Sequence, residues 1–180
     1  MKYILTGLTL SLLLTVKAQV KVSNDTLHWN KDTLITWSDF KGEPIEGSVS
    51  TGQVLCLNLG GFQRQSAHHY MQFNIVSVFD RMNSWMPKDK QTEDALDYFQ
   101  VMFNIYEVHS RLMRKEFEVS RSGVNPDIEF QEKYSHSANN RATELNKFKR
   151  ETKMGLDSIA IDTWRLRVDE KLKTLEAYMK

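Results

Sequence analysis

The chain has 180 residues, of which 41% are apolar, and this is enough for one domain with a sizeable hydrophobic core. Its 24 basic and 23 acidic residues leave a net charge of +1, which gives no electrostatic reason to expect nucleic acid or an anionic membrane surface as a partner. The 8 glycines and 3 prolines are too few for a low-complexity or disordered chain.

The N-terminus has the pattern of a signal peptide. Lys2 is basic, residues 4–16 are mostly apolar, and small residues precede a cleavage point after Ala18. The apolar run is too short to favour a membrane-spanning helix, although an uncleaved anchor is the alternative. We therefore expect residues 1–18 to be removed and residues 19–180 to form a single exported domain, periplasmic or extracellular, without stable membrane insertion.

Strand-like segments follow. Residues 26–29 and 34–37 are rich in β-branched and aromatic side chains, with a turn between them. Residues 50–59 also have the composition of a strand, which is expected to end at two glycines, and residues 70–79 show the clearest alternation of apolar and polar side chains. Together they predict a small antiparallel sheet between residues 25 and 80.

This part of the chain contains few candidates for chemistry. Cys56 is the only cysteine, so no internal disulfide is possible, and its apolar neighbours favour a buried hydrophobic residue over a nucleophile. His68 and His69 are adjacent at the predicted end of a strand. Adjacent strand residues point to opposite faces, so we do not expect these two histidines to chelate one ion.

Residues 94–111 predict one long, mostly buried helix, with Thr92 as its N-cap. Two neighbouring apolar stripes run along it, and a helix that is apolar on two faces lies inside a domain. The first stripe consists of Leu96, Phe99, Phe103, Tyr106, Ser110, Met113 and Phe117, and the second of Tyr98, Met102, Ile105, His109 and Leu112.

Two further helices are predicted. Residues 125–127, Asn-Pro-Asp, are a strong start signal for a helix that runs to about Thr152, and the last helix begins near Ile159. Charges of alternating sign on the last helix are typical of a solvated face and not of a binding patch. The fold class is therefore α+β, with a small antiparallel sheet followed by three long helices.

The long helix resembles a known active-site helix. Residues 98–107 read YFQVMFNIYE, in the register in which a bacterial family carries H-E-x-x-H-F-D-I-x-E. Phe103, Ile105 and Glu107 match, and Arg111 also fits the family's pattern. The family is that of predicted secreted zinc-dependent proteases, domain of unknown function 922, and the resemblance implies a zincin-like arrangement of sheet and helices.

Two other segments are similar to the same family. Residues 37–44 match the W-x-D-F-x-G-x-P part of its L-x-W-x-D-F-x-G-x-P motif near the mature N-terminus. Residues 148–154 correspond to its Y-D-x-x-T-x-H motif, which is followed by a tryptophan; Thr152 and Trp164 agree with it. The resemblance extends over roughly residues 33–178, that is, over most of the mature chain.

The residues that would perform the chemistry are replaced. Tyr98 and Met102 occupy the positions of the family's two zinc-binding histidines, Phe99 that of its catalytic glutamate, and Met154 that of a third histidine. In H-E-x-x-H, two imidazoles four residues apart hold one zinc ion, and the glutamate takes a proton from the zinc-bound water. Asn104 also replaces a family aspartate, and this removes a hydrogen-bond partner expected for the metal ligands. We therefore expect no metal, no cofactor and no peptidase activity.

The resemblance implies an exported, non-catalytic relative of a metallopeptidase that binds a protein, peptide or envelope component through the old cleft. A purely structural envelope protein is an alternative. Another is a hydrolase with a rearranged site, for which Glu107, Glu151 and Tyr98 are the obvious polar groups. An open groove in the cleft between the long helix and the sheet would favour binding, and a filled core there would favour a scaffold.

A weak metal-binding protein is a further alternative. The thioethers of Met102 and Met154 suit copper(I) better than zinc, and His109 follows Met102 on the predicted helix. Methionine in a buried helix, however, more often fills space in the core.

Overall fold

The computed structural model describes residues 22–32, 34–44, 52–65, 70–119 and 126–180. The predicted signal peptide, the pair His68 and His69, and the cap residue Asn125 lie outside these ranges.

The described strands form one three-stranded antiparallel sheet. Strand β1 is Thr26–His28, β2 is Cys56–Gln65 and β3 is Tyr70–Asp80, and the order in the sheet is β1-β3-β2. Phe79 of β3 lies opposite Leu27 on one side and Cys56 on the other. The predicted antiparallel sheet between residues 25 and 80 is confirmed.

The predicted strand at residues 34–37 is wrong. The Ile35 amide donates to the side chain of Gln100 at 2.8 Å rather than to a neighbouring strand. Trp37–Asp39 is a short 3₁₀ turn, because the Asp39 carboxylate accepts from the Thr36 amide at 2.8 Å. Side-chain acceptors therefore override the β-propensity of this segment.

The prediction that strand β2 ends at its two glycines is wrong, because the strand continues through both of them to Gln65. A Cβ atom added at Gly60 would lie 3.1 Å from the rings of Phe130 and Tyr134. The glycine inside the strand thus allows aromatic side chains of a later helix to approach the backbone closely.

Three long helices follow the sheet, as predicted: α1 is Glu93–Val119, α2 is Pro126–Glu151 and α3 is Ser158–Thr174. The Thr92 hydroxyl caps α1 by accepting from the Ala95 amide at 3.2 Å, and the Asp157 carboxylate caps α3 by accepting from Ala160 at 3.1 Å. Helix α1 packs against the sheet and against both other helices, so it is the centre of the fold.

The buried side chains form two clusters. The larger one lies between α1, α2, α3 and the 3₁₀ turn, and it includes Tyr98, Phe99, Met102, Phe103, Phe148 and Trp164. The smaller one, Ile75, Met113, Phe117 and Phe130, lies at the other end of α1. The two predicted apolar stripes of α1 mostly enter these clusters, but Leu112 is exposed, so the second stripe ends at His109.

A cluster of hydrogen-bonded polar side chains lies between the sheet and the helices. Asn58 of β2 donates to Ser110 of α1 at 2.7 Å, and the hydroxyls of Ser110 and Ser77 are 2.8 Å apart. Arg141 of α2 donates to the side-chain oxygen of Asn58. These buried groups satisfy one another and fix how the sheet sits on α1.

The three helices are also joined by a charged side-chain contact. Glu144 of α2 bonds His109 of α1 at 2.9 Å and forms an ion pair with Lys171 of α3. Burial opposes ionisation of Glu144, but the bonds with His109 and Lys171 outweigh it and lower the pKa from 4.5 to about 2. The ionised carboxylate therefore stabilises the folded state.

We expect this contribution of Glu144 to depend on pH. It is fully present above the unfolded pKa of 4.5 and is lost as the pH falls through the folded value of about 2. At neutral pH the free energy of unfolding of wild type should exceed that of Glu144→Gln by at most about 3 kcal/mol. This difference should shrink between pH 4.5 and 2. Urea unfolding of both proteins across that range measures it; a constant difference would contradict the assignment.

Candidate functional site

Three of the four side chains that correspond to the site of the family that the chain resembles lie inside the hydrophobic core. Tyr98, Phe99 and Met102 are all buried. The Tyr98 ring stacks on Phe148 with centroids 4.8 Å apart and meets the ring of Phe99 nearly edge-on at 5.4 Å. Burial raises the pKa of Tyr98 to about 12, so its phenol stays neutral at ordinary pH and is a poor ligand for zinc.

The position of the family's catalytic glutamate is packed by the N-terminal motif. The Phe99 ring contacts Trp37 edge-on at 6.4 Å and Phe40 at 5.6 Å. The 3₁₀ turn therefore presents its aromatic residues to this turn of α1. Two segments that resemble the family meet here, and the contact between them is apolar.

Met154 does not join Tyr98 and Met102. It is 67% exposed, in a turn where Lys153, Met154 and Gly155 all have positive φ angles of 50°, 60° and 93°. A Cβ atom on Gly155 would lie 3.1 Å from the Tyr98 ring, so the turn packs its backbone against Tyr98 and directs Met154 outward. The copper(I) hypothesis needed Met102 and Met154 together, and the structure does not bring them together.

Replacing Met154 by glycine should stabilise the protein. Met154 has φ 60° and ψ 34°, a left-handed conformation that costs a side-chain-bearing residue about 1 kcal/mol and glycine almost nothing. Little packing is lost because the side chain is exposed. Thermal unfolding should show a higher Tm for Met154→Gly than for wild type. The control Met179→Gly, at a residue with φ −67°, should show no increase in Tm. Equal effects at both positions would refute the strain.

The retained residues of the third motif have structural partners. Thr152 is buried and its hydroxyl donates to the Phe148 carbonyl at 2.7 Å, at the end of α2. The Trp164 indole donates to Glu151 at 2.9 Å and so ties α3 to α2. These contacts hold the junction of the two helices, and none of them leaves a group poised for catalysis.

The carboxylate of Glu107 accepts hydrogen bonds from two arginines. It is 2% exposed; its Oε1 accepts from Arg111 Nε at 3.0 Å, and both of its oxygens accept from Arg114. Arg111 also donates to the Leu172 carbonyl at 2.6 Å, and Arg114 to the Ile75 carbonyl at 2.9 Å. The cluster joins α1 to α3 and to the sheet, and Glu107 has no capacity left to act as a base.

An open groove of about 730 Å³ lies on another face of α1. Its walls are residues 29–31, 34 and 35, helix α1, and helix α3 with the residues that follow it. The side chains that line it include Trp29, Leu96, Gln100, Asn104, Arg111, Asp169 and Leu172. Gln100 and Asn104 are each two residues along α1 from Tyr98 and Met102, which places them about 200° around the helix. The groove is therefore not the cleft in which the family's metal would sit.

Amide side chains hold one wall of the groove in place. The Trp29 indole donates to Asn104 Oδ1 at 2.9 Å, and Gln100 Nε2 donates to the same oxygen at 3.0 Å. Gln100 Oε1 accepts from the Ile35 amide at 2.8 Å. Residues 29–35 are thus fixed to α1 while a channel stays open beside them.

Sequence reasoning missed this groove and its residues Trp29, Gln100 and Asn104. The available signal was the spacing of Gln100 and Asn104, two polar side chains four residues apart in a helix that is otherwise apolar on two faces. Their partners Trp29 and Ile35 are distant in sequence, so only the tertiary structure reveals the site.

Within the described ranges, no group of three or more His, Cys, Asp or Glu side chains is arranged to hold a metal ion. Among the helices described, none combines the length and apolar character needed to cross a membrane. Comparisons of the chain with models of protein families, with curated proteins and with solved structures find no match.

Proposed function

We propose that the protein is an exported, non-catalytic relative of a zinc metallopeptidase and acts as a binding protein of the bacterial envelope. The observation that carries this proposal is the packing of Tyr98, Phe99 and Met102 in the aromatic core, at the positions where the family has its ligands and its base. The order of sheet, long helix and closing helix supports the zincin-like relationship.

The cleft between α1 and the sheet is filled by core side chains, and a filled cleft favours a scaffold. The open groove on another face of α1 is the feature that supports a binding role. A volume of about 730 Å³ is in the range that holds small ligands or a short peptide segment. A scaffold protein would have no need of an open channel whose wall is held by a chain of side-chain hydrogen bonds from Trp29 to Ile35.

A hydrolase with a rearranged site has less support. Its three candidate groups have separate partners: Glu107 is bound by Arg111, Glu151 accepts from Trp164, and Tyr98 is stacked in the core. A general base must be within hydrogen-bond reach of the proton it removes and must be free to accept it.

Hydrolysis of casein and of a fluorogenic peptide mixture, each with and without chelator, tests the lack of catalysis. We expect no cleavage above the buffer blank in either condition, while a zinc peptidase assayed in parallel loses its activity with chelator. Chelator-sensitive cleavage that stays with the protein through successive purification steps would overturn the proposed function.

A further inference from the structure

The floor of the groove contains a buried arginine with unused donors. Arg111 is 2% exposed and lines the groove. Its Nε donates to Glu107 and its Nη1 to the Leu172 carbonyl, whereas its Nη2 has no hydrogen-bond partner among the described residues. Arg111 Nη2 is not among the buried side-chain atoms that lack a partner in the described ranges, so it is open to the groove, where a ligand acceptor or a water molecule can pair with it.

The same cluster is short of negative charge. Arg111 and Arg114 share the single carboxylate of Glu107, so this buried group carries one positive charge in excess. The other ion pair at the groove, Arg165 with Asp97 at 2.7 Å, lies nearer the start of α1. An anionic group of a ligand is therefore expected at Arg111, because a carboxylate there would balance the charge and use the free Nη2.

A second unused donor lies further along the groove, on Asn104. The Trp29 indole and the Gln100 amide nitrogen can only donate, so the atom of Asn104 that they share is its oxygen. The Nδ2 of Asn104 then has no partner in the described part of the chain. Asn104 therefore offers N–H groups where a ligand would need an acceptor.

The spacing of the two donors suggests an extended chain. The Arg111 side chain reaches back along α1 to Glu107, and its guanidinium lies 4.9 Å from the centre of the Trp29 ring, whose indole N–H bonds Asn104 at 2.9 Å. The two donors therefore flank one indole ring at a separation of about 7 Å, which about two residues of an extended peptide span. On the opposite wall Asp169, one turn of α3 before Leu172, has no hydrogen-bond partner among the described residues and can accept from a peptide N–H.

We propose that the groove binds the C-terminal end of an extended peptide, with the terminal carboxylate on Arg111 and a backbone carbonyl about two residues earlier on Asn104. This inference rests on the proposed binding function of the groove and names its ligand. A fatty acid would satisfy Arg111 but has no acceptor for Asn104 and no donor for Asp169. The apolar side chains of Leu34 and Leu96 line the groove and provide contact for the peptide's side chains.

Two hexapeptide pools with randomised sequences test the proposal, one with a free C-terminal carboxylate and the other with a C-terminal amide. Each pool is passed over the immobilised mature protein, and the retained peptides are quantified by mass spectrometry. We expect retention of the free-acid pool to exceed that of the amide pool about tenfold, the effect of losing one charge-assisted hydrogen bond. Randomisation removes the dependence on any one side-chain sequence.

Asn104→Asp is the matched variant. It keeps an oxygen for Trp29 and Gln100 but replaces the free N–H groups with a carboxylate oxygen, which repels a peptide carbonyl. We expect about tenfold weaker retention of the free-acid pool with an unchanged Tm. Asn146→Asp makes the same charge change on the exposed side of α2, and should retain the pool as wild type does.

Three results would overturn the peptide proposal: equal retention of the two pools, retention of neither pool, or undiminished retention by Asn104→Asp. Equal retention would show that the groove binds peptides without using the carboxylate, so the proposed binding function would stand. The cleavage assay decides separately whether the protein is catalytic, so the two failures are distinguishable.

Discussion

Phe148→Ala should lower the free energy of unfolding by about 3–5 kcal/mol. Phe148 is fully buried on α2; its ring stacks on Tyr98 of α1 at 4.8 Å and meets Trp164 of α3 edge-on at 5.4 Å. Truncation removes contacts with both neighbouring helices and leaves a cavity beside Tyr98. Urea unfolding followed by tryptophan fluorescence measures the change.

Leu156→Ala is the control for this variant, because Leu156 is 87% exposed in the turn before α3. Its effect should stay within about 0.5 kcal/mol. If Phe148→Ala were as mild as Leu156→Ala, the aromatic packing around Tyr98 would not be a core. The cluster would then have room to rearrange around a ligand, contrary to the proposed loss of the metal site.

Glu107→Gln should be similarly destabilising, by about 3–5 kcal/mol, because it leaves buried charges uncompensated. The substitution preserves the shape of the side chain but removes the only carboxylate shared by Arg111 and Arg114. Both guanidiniums would remain held by backbone carbonyls, so neither can easily turn to solvent. The free energy of unfolding at neutral pH is the quantity to compare.

Glu118→Gln is the matched control: the same substitution on the same helix, at an exposed position. It should change stability by no more than about 0.5 kcal/mol. Equal effects of the two variants would mean that Glu107 is not the buried counter-ion of the arginines. It would also remove the basis for expecting a net positive charge at the floor of the groove.

The helical half of the fold could be predicted from the sequence because its signals are local. The three- and four-residue spacing of apolar side chains located α1 and α2, and the hydroxyl of Thr92 caps α1 as predicted. Strand β3 was found in the same way from its alternation. In each case one element contains its own signal.

The structure of the N-terminal segment could not be predicted from local sequence signals. Residues 34–37 have strand propensity, but the Ile35 amide bonds a side chain of α1, and that partner is distant in sequence. The end of β2 was misplaced for a related reason. Gly60, the first of the two glycines at which the composition predicts an end, allows aromatic rings of α2 to approach the strand.

The candidate site also has some features that the sequence reveals and others that depend on the tertiary structure. The bulky side chains of Tyr98, Phe99 and Met102 are visible in the sequence, and the structure places all three in the core. That Met154 points outward depends on the backbone angles of a turn, which composition does not reveal. The groove could not be foreseen, since it exists only where residues 29–35 cross α1 and α3.

The metal content of the purified mature protein tests the central claim most directly. After exposure to excess zinc and removal of the unbound ion, elemental analysis should find far less than one zinc ion per chain, because the side chains around Tyr98 and Met102 form a packed apolar core. One tightly held zinc ion per chain, released when Tyr98 and Met102 are replaced by leucine, would contradict the account.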